Sequence, residues 1–266
     1  MSEIVTSAAN PTVKRVRALA DRKHRRRQQA YVVEGVQPVW RAVTAGATIE
    51  TVVCAPELLR NEAAVRMVDE LAAAGTQVVR ITAELFDRLS DRDGPAGLLA
   101  IVSGGVAGLD TLTVTHDSVF LALHELSTPG NIGTIVRTAD AAGASGVILL
   151  GATADPLSPA AVKASMGSLF SVALAAVPTE PELLSWARGA GLHVCALTGA
   201  GSTDLWQAEL PRPLLLLLGN EGAGLTESLV TAAASRVRIP MEGTAESLNV
   251  AAAAAVVLYE LKRRAG

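Results

Sequence analysis

Six short runs beyond residue 117 are apolar almost without interruption: "VFLALHEL", "GVILLG", "FSVALAAV", "LHVCAL", "PLLLLLGN" and "RVRIPM". A strand with one wet face alternates apolar and polar residues. A strand that does not alternate must be covered on both faces, as in parallel sheets whose crossover helices lie above and below. Helical patterns fall between these runs, near 131–143, 158–166, 180–190 and 225–234, and a last one spans about 247–263. The second half of the chain is therefore expected to be α/β with a mostly parallel sheet.

The first half repeats the alternation on a smaller scale. "YVVEG", "IETVVCA", "QVVRI" and "GLLAIVS" read as strands, with helices expected near 36–46, 57–74 and 82–90. The stretch "GGVAGLDTLTVTHD", 104–117, has no periodicity and carries three glycines, so it is the expected linker. The expected organisation is a small α/β domain over 1–103 and a second domain over 118–266.

Half of the 266 residues are hydrophobic, enough for a substantial core. The longest apolar runs fall short of the roughly 20 residues that cross a bilayer, so no membrane span is expected. The N-terminus is charged where a signal peptide needs its apolar segment, which predicts no export. Cys54 and Cys195 are the only cysteines, which excludes a disulfide framework and a Cys-rich zinc site and fits a reducing cytoplasm. His24, His116, His124 and His193 show no ligand spacing, and no metal is expected.

The net charge of −3 conceals an uneven distribution: residues 1–41 hold nine Lys or Arg against three acids. Lys14, Arg15, Arg22, Lys23, Arg25, Arg26 and Arg27 are the candidate contacts to a polyanion, a solvated helix face being the bland alternative. Aromatic residues are only 3% of the chain, which argues against base-stacking platforms and leaves shape and phosphate contacts to dominate.

Ligands of open α/β sheets gather beyond the carboxyl ends of the strands, and three segments that follow strands are unusual. "STPGNIGTIVRTADAAG", 127–143, has neither the dinucleotide fingerprint nor the P-loop pattern. In it Asn131 reads as a helix N-cap ahead of the apolar stripe Ile132, Ile135, Val136, Ala139 and Ala142. Arg137 lies inside the helix near Thr134 and Thr138, where its guanidinium either holds a phosphate or pairs with Asp140. "LGNEGAGL", 218–225, sets Glu221 among glycines that let backbone approach a ligand. "IPMEGTAESLNVAAAAAVVLYE", 239–260, places Ser247 and Asn249 at the start of an Ala-rich helix, where either can cap or hydrogen-bond a ligand.

Together the three segments resemble the three motifs of the SpoU (TrmH) family of RNA ribose 2'-O-methyltransferases. The first is similar to N-I-G-x-I-x-R-T-A, the second to G-N-E-x-x-G-L and the third to I-P-M-x-G-x-x-x-S-L-N; "KASMGSLFSVAL", 163–174, also resembles the family. The N-terminal part is less specifically similar to the L30e-like substrate-binding domain of members that act on ribosomal RNA, including those giving thiostrepton or avilamycin resistance. The resemblance implies a C-terminal SPOUT methyltransferase domain with a deep trefoil knot, a homodimer, and S-adenosylmethionine bound in the knot loops. Cofactor contacts are then expected from Leu197, Thr198 and Gly199, from Leu218, Gly219, Asn220 and Gly222, and from Ile239, Met241, Leu248, Asn249 and Ala251. Arg137 is implied as the catalytic residue, with Asn131, Glu221, Ser247 and Asn249 ordering the site. A guanidinium gives up its proton only above about pH 12, so holding an RNA phosphate and stabilising the developing alkoxide is easier chemistry for Arg137 than general-base catalysis. The implied substrate is 23S rRNA, as housekeeping or as antibiotic resistance. The alternatives are a tRNA ribose methyltransferase and a non-catalytic rRNA-binding module.

Overall fold

The structure is a computed structural model and describes residues 4–90 and 94–265. The chain opens with helices α1 (Pro11–Ala18) and α2 (Arg22–Gln28), then β1 (Ala30–Glu34), α3 (Val36–Thr44) and β2 (Ile49–Cys54). Next come α4 (Glu62–Ala73), β3 (Gln77–Arg80), α5 (Ala83–Asp87), β4 (Leu98–Ser103) and β5 (Val119–His124). They are followed by α6 (Pro129–Ala142), β6 (Gly146–Leu150), α7 (Pro159–Ser165), β7 (Ala173–Val177), α8 (Glu180–Gly189) and β8 (His193–Leu197). The last are β9 (Thr203–Asp204), β10 (Leu214–Leu218), α9 (Glu227–Ala232), β11 (Ser235–Arg238) and α10 (Val250–Ala265).

Two compact units result, one of Met1–Gly105 with Leu157–Phe170 and one of Val106–Pro156 with Ser171–Gly266. In the first unit, β1-β4-β2-β3 form a mixed sheet in which only β2 and β3 run parallel. Period-two alternation divides its side chains between two cores. Cys54, Leu98, Ala100 and Val102 face α3, α4 and α7, whereas Val53, Leu99 and Ile101 face α1 and α5 with Val13, Leu19 and Phe86.

The sequence order is misleading at α7. Read as part of the second domain, its segment Leu157–Phe170 instead packs within the first unit, where Val162 is buried in the core and the Phe170 ring stacks on Tyr31. The expected linker also differs. Only Gly104 and Gly105 lie in the first unit; Ala107 bridges Ala175, and Leu109, Leu112 and Val114 pack on the core of the second.

The second unit holds a seven-stranded, all-parallel sheet in the order β7-β6-β5-β10-β8-β11-β9. Its two-sided burial follows from the unbroken apolar runs: Leu214, Leu216 and Leu218 of β10 face α6 and α10, while Leu215 and Leu217 face α8 and α9. All five leucines are buried. Among the described residues, no helix is long and apolar enough to cross a membrane.

Candidate active site

Four neighbouring parallel strands, β5, β10, β8 and β11, end at one edge of the second unit's sheet. Leu218 of β10 is in register with Leu123 of β5 and Leu197 of β8, so the loops that follow leave at one level. These loops carry all three sequence motifs, together with "TGAG" after Leu197. Parallel topology thus gathers segments that lie far apart in the chain.

Side chains then tie the motifs together. Asn131 Nδ2 donates to Glu221 Oε1 at 3.0 Å, and Asn131 Oδ1 accepts from Asn249 Nδ2 at 3.2 Å. The carboxylate can only accept, which fixes the orientation of the Asn131 amide and leaves its oxygen for Asn249. Ser127 adds its backbone N–H and its hydroxyl to Glu221 Oε2, each at 3.3 Å. Burial raises the Glu221 pKa, but hydrogen bonds from its own backbone and from Asn131, Ser127 and Thr128 outweigh this and bring it down to about 2. The carboxylate therefore stays charged at any working pH.

Asn220 organises the second motif from within. Its Oδ1 accepts from the N–H of Gly222 and Ala223 at 2.9 and 3.1 Å, while its Nδ2 donates to the Glu125 carbonyl at 2.7 Å. Gly219 is there for space: an added Cβ would lie 2.3 Å from the carbonyl carbon of Gly224. The loop closes on itself through paired Asn220 and Gly224 backbone bonds, and no side chain fits beneath it.

Asn131 is not the helix cap that its sequence position predicts. Pro129 takes the first helical position and starts α6 two residues earlier, leaving Thr128 as N-cap and Asn131 inside the first turn. Its side chain is free to face the other motifs. Of the two polar residues before α10, Asn249 caps, its Oδ1 accepting from the Ala251 N–H at 2.9 Å. Arg137, on the exposed face of α6, has no hydrogen bond or ion pair among the described residues, so the alternative pairing with Asp140 is not formed.

Beside the network lies a cavity of about 460 Å³. Leu197, Thr198, Gly199, Leu218, Gly219, Asn220, Gly222, Ile239, Met241, Leu248 and Asn249 line it, as do Glu221 and Ser247. Ala251 does not: it turns into the core, and Ala253 lines the cavity instead. Helical spacing could have found Ala253, which follows Asn249 by one turn. Gly224, Leu225, Glu246 and Val250 also line the cavity and were not expected.

The basic N-terminal residues have diverse fates. Lys14, Arg22, Lys23, Arg26 and Arg27 are exposed, Arg27 contacting His24 Nδ1 at 3.0 Å. Arg25 corrects the sequence reading: it is only 5% exposed, and its guanidinium donates to the carbonyls of Leu19 and Ala20 at 2.8 and 2.7 Å. Arg15 is held by Gln28 and by an ion pair with Glu50. Both act first in joining α1, α2 and the sheet.

A model of the SpoU rRNA Methylase family matches residues 118–259, and one of the MRM3-like substrate binding domain matches residues 10–100. The chain is 34% identical to the 23S rRNA (uridine(2479)-2'-O)-methyltransferase of Streptomyces viridochromogenes, covering 92% of this chain and 87% of that protein. It is 29% identical to the 23S rRNA (guanosine(2553)-2'-O)-methyltransferase of Bacillus subtilis, covering 97% and 98%. The crystal structure of an AdoMet-bound rRNA methyltransferase from Sinorhizobium meliloti superposes with a TM-score of 0.90 at 36% identity, covering 98% of each chain. With its three motifs gathered at one sheet edge, the chain belongs to the SpoU rRNA methylase family.

Proposed function

We propose that this protein methylates a ribose 2'-hydroxyl of 23S rRNA with S-adenosylmethionine as donor. The observation that carries the reading is the Asn249–Asn131–Glu221 chain of hydrogen bonds, which joins all three motifs beside a cavity of ligand size. The named activities of the relatives and the match of residues 10–100 to a substrate-binding domain favour rRNA.

The cavity suits the cofactor. Leu197, Leu218 and Ile239 offer apolar walls, and Met241 and Leu248, each 39% exposed, are apolar side chains that a bound ligand would cover. Thr198, Glu246 and Ser247 supply polar groups, and the glycines of the second motif let main-chain atoms make close contacts. When bound, S-adenosylmethionine supplies an electrophilic methyl group on a sulfonium.

The chain's own residues order the acceptor. Glu221 is a poor base, since its oxygens are committed to Asn131 and Ser127 and its pKa lies near 2. It fixes the Asn131 amide and, through it, Asn249 at the head of α10. Arg137 grips an RNA phosphate with its guanidinium and stabilises the 2'-oxygen as its proton passes to solvent water. The protein works as a cytoplasmic homodimer with the knot typical of its family. Trp206 and Tyr259, 54% and 52% exposed in the second unit, give a partner copy apolar surface. The methyl mark serves either as a housekeeping modification of the ribosome or as protection of it from an antibiotic.

Labelled S-adenosylmethionine, 23S rRNA and tRNA, followed by mass mapping of the modified ribose, test the reading. One methylated ribose in 23S rRNA is expected. Label in tRNA alone would redirect the substrate, and label in neither would overturn the activity. Unchanged drug sensitivity of ribosomes carrying the mark would remove the protective role.

A further inference from the structure

We propose that a cleft in the first unit binds one unpaired nucleotide of the RNA, an inference that rests on the RNA substrate proposed above. The cleft has a volume of about 220 Å³ and lies among α1, β1, the end of α5 and α7. This is below the roughly 300–1,000 Å³ of pockets for drug-sized ligands and suits a smaller group such as one base.

Its lining divides by chemistry. Val32, Leu89 and Val162 contribute apolar surface, against which a base can lie flat. Arg17, Arg88 and Lys163, from three different helical segments, surround that surface with positive charge. Arg17 is exposed, with no hydrogen bond or ion pair among the described residues. Among the described residues the Arg88 side chain, at the C-cap of α5, pairs with Glu84, an exposed pair that costs little to exchange for a phosphate. Among the described residues, the one acid in the lining is Glu34, which accepts from the Ser90 hydroxyl.

An apolar floor with a cationic rim suits a nucleotide whose base is splayed out of a strand. It does not match a duplex backbone, which offers phosphates and no accessible base face. None of these cations belongs to the basic run 22–27 that dominates the sequence. The cleft therefore adds a recognition element that charge density alone does not reveal.

The test reads RNA binding rather than methyl transfer. In filter binding to 23S rRNA at several salt concentrations, R17A/R88A should weaken binding roughly 10-fold and flatten the salt dependence by about 1.4, the contribution of two single-strand phosphate contacts. The control R66A removes an exposed arginine on α4 of the same unit and should do neither. Equal behaviour of R17A/R88A and R66A would overturn the proposal. A second measurement uses the wild-type chain: cytidine 5'-monophosphate should shift the amide resonances of Val32 and Glu34, and ribose 5-phosphate should not. The same shifts with ribose 5-phosphate would eliminate the base contact. Arginine-dependent binding without any methyl transfer would instead strike the proposed activity and leave the cleft standing.

Discussion

Two polar side chains, Arg25 in the first unit and Asn131 in the second, act over very different distances. In the first, the buried Arg25 bonds carbonyls five and six residues away, fastening α2 to the turn just before it. In the second, Asn131 reaches partners 90 and 118 residues away, at a sheet edge where each side chain remains accessible. Short-range bonding of a buried cation stabilises local structure. Long-range bonding among exposed groups costs chain entropy and is worth little to stability, so its persistence marks a functional arrangement.

Four variants probe that contrast, in order of effect. R137A removes the one motif cation with no partner among the described residues; methyl transfer should fall by about 100-fold or more, while calorimetry shows S-adenosylmethionine binding nearly unchanged. Equal loss of cofactor binding would place Arg137 in the wrong half of the site.

In the first unit, R25A leaves the carbonyls of Leu19 and Ala20 without their donor and should cost about 1–3 kcal/mol in a urea melt. R26A, exposed on the same helix, should leave the melt unchanged and reduce only the salt dependence of RNA binding. If R26A destabilised as much as R25A, the division between structural and available arginines would fail.

The smallest effect is one of pH. The Glu221 pKa is lowered in the folded state from 4.5 to about 2, so its bonds contribute stability above pH 4.5 that is lost as pH falls toward 2. The gap between wild type and E221Q in urea midpoint should be constant from pH 7 to 5 and shrink toward pH 3. A constant gap over the whole range would mean that the carboxylate's charge plays no part in the network.

Much of this was legible in the residues. The unbroken apolar runs predict the parallel, two-sided sheet, and the sequence names thirteen of the eighteen residues that line the large cavity. What the residues could not convey was direction. Nothing local separates Arg25 from Arg26; only the packing of α2 turns one inward. The Asn131 reading missed the helix start set by Pro129, a signal present in the sequence but outweighed by the attraction of asparagine to caps. Ser127 had no local signal, because its bond to Glu221 spans 94 residues. The segment Leu157–Phe170 was assigned by its neighbours in the chain, whereas packing assigns it to the first unit.

The position of β10 has a consequence for biosynthesis. Its five leucines lie between β5 and β8, so those two strands have no common neighbour until residue 218 has been made. A nascent or prematurely terminated chain that stops before Leu214 carries the first motif and the "TGAG" loop on strands that nothing yet holds together. Chains that end before Leu214 therefore lack the assembled site, and activity is expected only after β10 has been added.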